Sequence, residues 1–220
     1  MELQLNSTLV ELGQKQFTIL SLFQKIKVYV CKSDKGYLTI YGDIHGLEVI
    51  AYCFVYSALN PNHILFLSLR KNGLTSYLEE RDGKQAARDL VILHHRLHLN
   101  HKDWKAIRAL LQRNKTTEFF VNTDELTPER LDLKPFRTYY YHGNKDVLNV
   151  RDYLHTLFFV GSREVFGSIA NDCKSLSLSE PVRFFKEFPG YHIHTHMDMY
   201  LGNQEWSFAV DIYDEALWGW

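Results

Sequence analysis

The sequence predicts an α+β fold of mixed α/β character: two strand–turn–helix–strand units, a helical middle segment and a β-rich C-terminal third. Three observations predict it. Short runs rich in β-branched and aromatic residues are bounded by Gly, Asn, Asp and Pro, as strands and turns are. Apolar or amphipathic stretches of helical length follow some of these runs directly. Finally, YLTIYGDIHGLEVIA (37–51) and TLFFVGSREVFGSIA (156–170) align without a gap, so that Gly42 falls on Gly161, Leu47 on Phe166, Ile50 on Ile169 and Ala51 on Ala170. A glycine between strand and helix fits a tight turn that a Cβ would obstruct.

In order along the chain, IKVYVCKSDKGYLTIYG (26–42) reads as a hairpin around Ser-Asp-Lys-Gly. LEVIAYCFVYSAL (47–59) is apolar almost all round, hence a buried helix, ended by Asn60-Pro61-Asn62 before the strand HILFLSL (63–69). KQAARDLVILHHRLHL (84–99), with Ala87, Leu90, Val91 and Leu97, and HKDWKAIRALLQRN (101–114), with Trp104, Ile107 and Leu111, read as amphipathic helices. His94, His98 and His101 then form a stripe on one helix face. TEFFVN (117–122) and FRTYYYHG (136–143) read as strands, and Thr127-Pro128 starts a helical turn. In the last third, YLHTLFFVG, VRFFKEF, YHIHTHMDMY and EWSFAVDIY give β character around one helix, REVFGSIANDC (163–173). No low-complexity linker interrupts the chain, which predicts a single domain over 1–220, with two packed halves, 1–122 and 123–220, as the alternative division.

The 220 residues are 45% hydrophobic and 23% charged, ordinary for a globular protein. No apolar run is long enough to span a bilayer, and MELQLNSTLVELGQ has neither the basic start nor the apolar stretch of a signal peptide. Cys31, Cys53 and Cys173 sit apart among apolar neighbours and read as reduced core thiols, so the expected location is cytoplasmic, with no membrane partner. The net charge of −1 gives no case for direct nucleic-acid binding. It is unevenly spread: residues 70–113 hold ten Lys or Arg against five Asp or Glu, whereas 187–220 hold six acidic residues and no Lys or Arg. An acidic, tryptophan-containing C-terminal region suits a basic protein partner.

Three segments resemble the calcineurin-like metallophosphoesterases, in that family's order: Gly42-Asp43-Ile44-His45-Gly46, Gly143-Asn144-Lys145-Asp146 and His194-Thr195-His196. The resemblance implies Asp43, His45, Asn144, His194 and His196 as ligands of a Mn, Fe or Zn pair that makes a hydroxide and clamps a phosphate. The sequence departs from the pattern where the bridging aspartate belongs, at Ser68-Leu69, and where Lys145 replaces a histidine. Alternation along YHIHTHMDMY puts His192, His194, His196, Asp198 and Tyr200 on one strand face. A His-x-His pair there has metal-ligand spacing, and His192 joins this alternative ligand set.

The chain is also similar, at the level of pattern, to immunity proteins of bacterial toxin systems. The segments carrying the likeness are Gly42–Ala51, Gly161–Ala170, Tyr191–Asp198 and Glu205–Asp214. It implies a protein-binding inhibitor, with no catalytic residues and no cofactor, that neutralises a basic toxin or nuclease domain encoded nearby. Glu205, Trp206, Asp211, Asp214, Glu215 and Trp218 are its expected contact residues. A divergent metal-dependent phosphoesterase is the alternative.

Overall fold

A computed structural model describes residues 2–133, 145–188, 191–202, 205–215 and 217. Asn144, Trp218 and the strand expected at 136–143 lie outside the described residues. Within them the fold is α+β, with five α-helices and eleven strands in one mixed sheet.

An N-terminal hairpin, β1 (Glu2–Leu12) and β2 (Lys15–Leu22), is followed by β3 (Val28–Lys32), β4 (Tyr37–Gly42), helix α1 (Ile44–Leu59), β5 (His63–Leu67) and the short helix α2 (Ser76–Asp82). Then come β6 (Ala87–His94), α3 (His101–Leu111), β7 (Thr117–Asn122), β8 (Asn149–Tyr153), β9 (Thr156–Gly161), α4 (Arg163–Ser177), α5 (Pro181–Glu187), β10 (His194–His196) and β11 (Ser207–Ile212). Along the sheet the order is β10-β11-β4-β3-β6-β5-β2-β1-β7, with β9 pairing β6 and β8.

The internal repeat seen in the sequence extends to whole units. In one, the hairpin β3–β4 leads into α1 and then the antiparallel pair β5–β6. In the other, the hairpin β8–β9 leads into α4 and then the antiparallel pair β10–β11. Each unit lends its last strand to the other. β6 lies parallel to β9, with His94 beside Gly161, and β11 lies parallel to β4, with Ile212 beside Gly42. The next residue repeats the same bond in both: Tyr213 N–H donates to the Gly42 carbonyl at 2.8 Å, and His95 N–H to the Gly161 carbonyl at 3.0 Å.

Helices α1 and α4 start alike. Asp43 and Ser162 are N-caps: an Asp43 oxygen accepts from Gly46 N–H at 2.7 Å, and Ser162 Oγ from Val165 N–H at 3.2 Å. The glycine before each cap takes a side chain from its helix. A Cβ on Gly161 would stand 2.8 Å from the Phe166 ring, and one on Gly42 would stand 3.0 Å from Leu47. These glycines and their contacts are two of the four aligned pairs of the sequence repeat.

Both sheet faces are covered. The main core joins α1 and α4 to Leu20, Val30, Ile40, Leu65, Ile92, Phe159 and Val210. On the opposite face α3 lays Trp104 and Ile107 on Ile19, Ile64, Val91, Leu93 and Phe158. Closer to β3, Leu78 of α2 packs with Cys31, Tyr41, Ala86 and Tyr213. All three cysteines are buried and unpaired, and burial pushes the Cys53 thiol up to about 12.

Several sequence expectations are corrected. Residues 84–99 do not form a helix: Ala87–His94 is strand β6, and Leu90, Val91, Ile92 and Leu93 are all buried between β5 and β9. A strand covered on both faces needs four consecutive apolar residues, and so short a run has no period that separates strand from helix. The histidine stripe disappears with that helix. His94 is buried at the end of β6, His98 lies in the following loop, and His101 opens α3, stacked on Tyr153 at 4.2 Å. VRFFKEF is not a strand but most of α5, begun by Pro181 in the first turn. YHIHTHMDMY is extended only over His194–His196 before a 3₁₀ turn at Asp198–Tyr200.

Replacing Gly161 with Ala is expected to cost about 1–3 kcal/mol, because the Phe166 ring is enclosed and cannot yield cheaply. Gly42→Ala, facing a more pliable Leu47 side chain, is expected to cost less; urea midpoints of the two variants check the order. The stability of the fold also depends on pH. Burial lowers the affinity of His63 for a proton, and burial, then His95 and Arg96, lowers that of His94, against a smaller opposing pull from Asp146. The unfolded chain therefore protonates first, so stability is lost as pH falls below about 6.5. His63→Gln and His94→Gln should each shrink the drop in urea midpoint between pH 7 and pH 5.

Candidate functional site

The sheet face under α3 has a counterpart across β10, β11 and β4, and there, among the described residues, the short helix α2 covers it only in part, over Tyr41. Register makes the residues comparable. Ile64 and Phe66 of β5 correspond to His194 and His196 of β10, Val91 and Leu93 of β6 to Ala209 and Asp211 of β11, and Phe158 and Val160 of β9 to Thr39 and Tyr41 of β4. In the first unit, Trp104 packs edge-on against Phe66 and Phe158 at 5.3 and 5.4 Å. On the matching face, histidine from β10, aspartate from β11, and threonine and tyrosine from β4 occupy the corresponding places. The result is an open pocket of about 290 Å³.

Alternation along the three strands aims its lining. β4 contributes Tyr37, Thr39 and Tyr41, and β11 contributes Ser207, Ala209 and Asp211, while Leu38, Ile40, Phe208, Val210 and Ile212 face the main core. His192, His194 and His196 stand side by side along the edge. The His192 and His194 rings stack at 4.5 Å, His194 and His196 meet edge-on at 4.9 Å, and their Nε2 atoms lie 3.2 Å apart. The last turn of α2 adds Arg81 and Asp82, and Lys35 comes from the β3–β4 turn. That turn is fixed by Ser33, whose Oγ accepts from Tyr37 N–H at 3.1 Å.

Asp211 anchors the arrangement. Its residue is 1% exposed; one carboxylate oxygen lies 2.7 Å from His192 Nδ1 and 3.8 Å from the Arg81 guanidinium. Arg81 also lies 5.5 Å over the Tyr41 ring and donates to Tyr77 Oη at 3.1 Å. The second oxygen, Asp211 Oδ1, has no hydrogen-bond partner, and neither do Asp82 Oδ2 and Tyr41 Oη. Tyr41 and Asp82 interact with each other on the pocket floor. Burial, then the Asp82 charge, pushes the Tyr41 hydroxyl up; burial raises Asp82 above the usual carboxylate range, with Tyr41 and Arg81 pulling the other way. Burial and then neighbouring His192 make His194 harder to protonate. The site thus offers buried acceptor atoms on its floor and imidazoles at its rim.

Among the sequence-predicted residues, the structure brings His192, His194, His196 and Asp211 together. Asp211 is sunk in the floor, not carried on the outer surface, so only a group entering the pocket reaches it. Glu205 and Glu215 are exposed, near opposite ends of β11, with Asp214 partly buried beside Glu215. Trp206 lies under Lys32, whose ammonium sits 4.5 Å from its ring centroid. Asp198 supports the rim: one oxygen accepts from Phe208 N–H at 2.6 Å and from Ser207 Oγ at 3.0 Å, and the other lies 3.7 Å from His196 Nδ1. Tyr200 leaves the histidine face; it is buried and donates to Asp172 at 2.8 Å.

Asp43 and His45 do not line the pocket. The Asp43 carboxylate is engaged at the start of α1, and Asp146, the acid of the second resembling segment, accepts from Ser162 Oγ at 2.9 Å at the start of α4. Ser68 stands where a bridging aspartate is wanted, ahead of a 3₁₀ turn. Among the described residues, no three His, Cys, Asp or Glu side chains are grouped to hold a metal ion. Sequence reasoning missed Tyr41, Arg81 and Asp82. The first was detectable, because the aligned repeat puts polar Tyr41 against apolar Val160.

If Asp43 serves as a cap, Asp43→Ala should lower stability by about 1 kcal/mol, whereas Asp43→Asn, which still accepts from Gly46, should stay within a few tenths. Urea unfolding of the two variants provides the measurement. No family model, curated protein or solved structure matches the chain.

Proposed function

We propose that this chain is a non-catalytic protein-binding module of the immunity type, which neutralises a basic toxin or nuclease domain by occupying its surface. The observation that carries the reading is an orphaned acceptor, Asp211 Oδ1, in an open pocket that Asp82 also lines. Asp211 Oδ1 is buried, lacks a donor and belongs to a residue lining the pocket, on a face whose counterpart beside β5, β6 and β9 is closed by α3. A buried carboxylate oxygen without a donor is costly. A lysine or arginine side chain from a partner supplies the missing donors and the opposite charge in one step, whereas an acidic partner would add to the cost. Glu205, Asp214 and Glu215 near the ends of β11 extend the negative field that steers such a partner, and Trp206 adds an aromatic contact.

No helix among the described residues is long and apolar enough to cross a membrane. The three buried thiols suit a reducing compartment, and the cytoplasm is the location we infer with the function.

The partner to test is the basic protein encoded beside this gene, with binding measured by calorimetry. Reversing Asp214 and Glu215 together to Lys should weaken binding at least tenfold at low salt and narrow that difference as salt screens the charges, while leaving the thermal midpoint of the free protein near its original value. Affinity that is indifferent to both reversal and salt would refute the electrostatic reading.

A further inference from the structure

The repeat also shows how a partner can attach. In the first unit, β5 has a strand on each side. β6 pairs with it antiparallel, and β2 pairs with its outer edge parallel, setting Ile19 beside Ile64, Leu20 beside Leu65 and Ser21 beside Phe66. In the second unit, β10 pairs antiparallel with β11, and no strand among the described residues pairs with its outer edge. β2 belongs to neither unit, so the repeat contains one edge that is filled from outside and one that is not.

The direction of the β10 amides follows from its ladder. Ile212 N–H donates to the Ile193 carbonyl at 2.9 Å, and Met197 N–H donates to the Phe208 carbonyl at 2.7 Å. Odd-numbered residues therefore bond to β11, and His194 and His196 turn their N–H and C=O groups toward the open edge. β10 has no proline, bulge, lysine or arginine to guard its edge, and its three-residue length limits an incoming strand to a short pairing. β8, whose outer edge is also unpaired among the described residues, carries Arg151 and Asp152. β7 has no counterpart in the other unit, so the repeat says nothing of its edge. Just before β10, Phe188 and Tyr191 are 49% and 69% exposed, their rings 6.4 Å apart, a ready contact for an apolar side chain.

We infer that the outer edge of β10 is completed by an extended segment of the partner, lying parallel to it as β2 lies beside β5. This deepens the proposed protein-binding function and rests on it. The segment the edge fits alternates in character. Side chains flanking the position beside Thr195 turn to the polar pocket face, next to His194 and His196. The one beside Thr195 turns to the helical face, where Leu20 sits beside Leu65 in the first unit. Main-chain hydrogen bonds from His194 and His196 provide the attachment, and the pocket reads the alternate side chains.

The test separates backbone from side chain. His196→Pro removes an outward N–H while leaving the bonds to β11, a placement that edge strands tolerate; His196→Ala removes only the imidazole. With the neighbouring basic protein as probe, His196→Ala, which gives up the imidazole and keeps the backbone donor, is the reference from which the loss in His196→Pro is counted. His196→Pro should lose at least tenfold, with its thermal midpoint and far-ultraviolet spectrum retained. Exchange of the His194 and His196 amides should also slow in the complex. Equal binding by both variants, or amide exchange unchanged on binding, overturns strand addition while leaving the protein-binding reading intact. No binding by the unaltered chain overturns both. If His196→Pro instead converts a dimer of this chain to a monomer, the occupant is a second copy and the partner strand is refuted. Should His196→Pro fail to fold, the amide exchange of the unaltered protein decides alone.

Discussion

The exchange of β6 and β11 between the two units is the constraint on which the rest depends. A strand–turn–helix unit ending in a hairpin has a bare strand edge, and burying such an edge without partners is prohibitive. Here each unit closes the other's: β11 satisfies β4 and β6 satisfies β9, down to the Gly42 and Gly161 carbonyls. Because those ends are fixed, α1 and α4 begin at set places and pack against each other over the shared face. The glycines matter at this junction since Leu47 and Phe166 fold back onto them.

The same duplication explains why a polar pocket exists in a stable sheet. Below α3, apolar residues fill the face and form a core. On the matching face, Leu93 is answered by Asp211, Ile64 by His194 and Phe66 by His196, so the second unit forgoes much of the burial that stabilises the first. What holds the carboxylates there is local: His192 and Arg81 on Asp211, and Tyr41 and Arg81 around Asp82. Such a half-satisfied cluster is a poor way to gain stability, and the proposed partner contact would give it one.

Much of the fold was legible, and the reasons are specific. The hairpin at 26–42, the helices α1, α3 and α4, and the repeat itself were visible because turn residues, periodicity and glycine spacing agree at those places. The β6 segment was misread because Leu90–Leu93 is too short a run to show a period, and its histidines happened to fall at helical spacing. α5 was hidden by Phe184 and Phe185, which have β propensity but follow Pro181 into a helix. For the site, alternation correctly grouped His192, His194 and His196, but it carried Tyr200 along with them because the end of the strand at Met197 has no local signal. Arg81 and Asp82 come from a separate short helix, and only tertiary packing brings them to β11. The pentapeptide Gly42–Gly46 spells a ligand motif and performs a cap; Asp43 suits either, and the alignment with Ser162 favours the cap.

Strand exchange also dictates an order of events during synthesis. β4 leaves the ribosome long before its partner β11: Tyr37 must wait for Ser207, and Gly42 for Ile212. Until then the nascent chain carries a β-rich edge, Tyr37–Gly42, with one side unpaired. Pairings so distant in sequence close slowly, and an open edge invites association with other chains. Folding is therefore gated by the synthesis of β11, and any stop before β11 leaves a product exposed along β4.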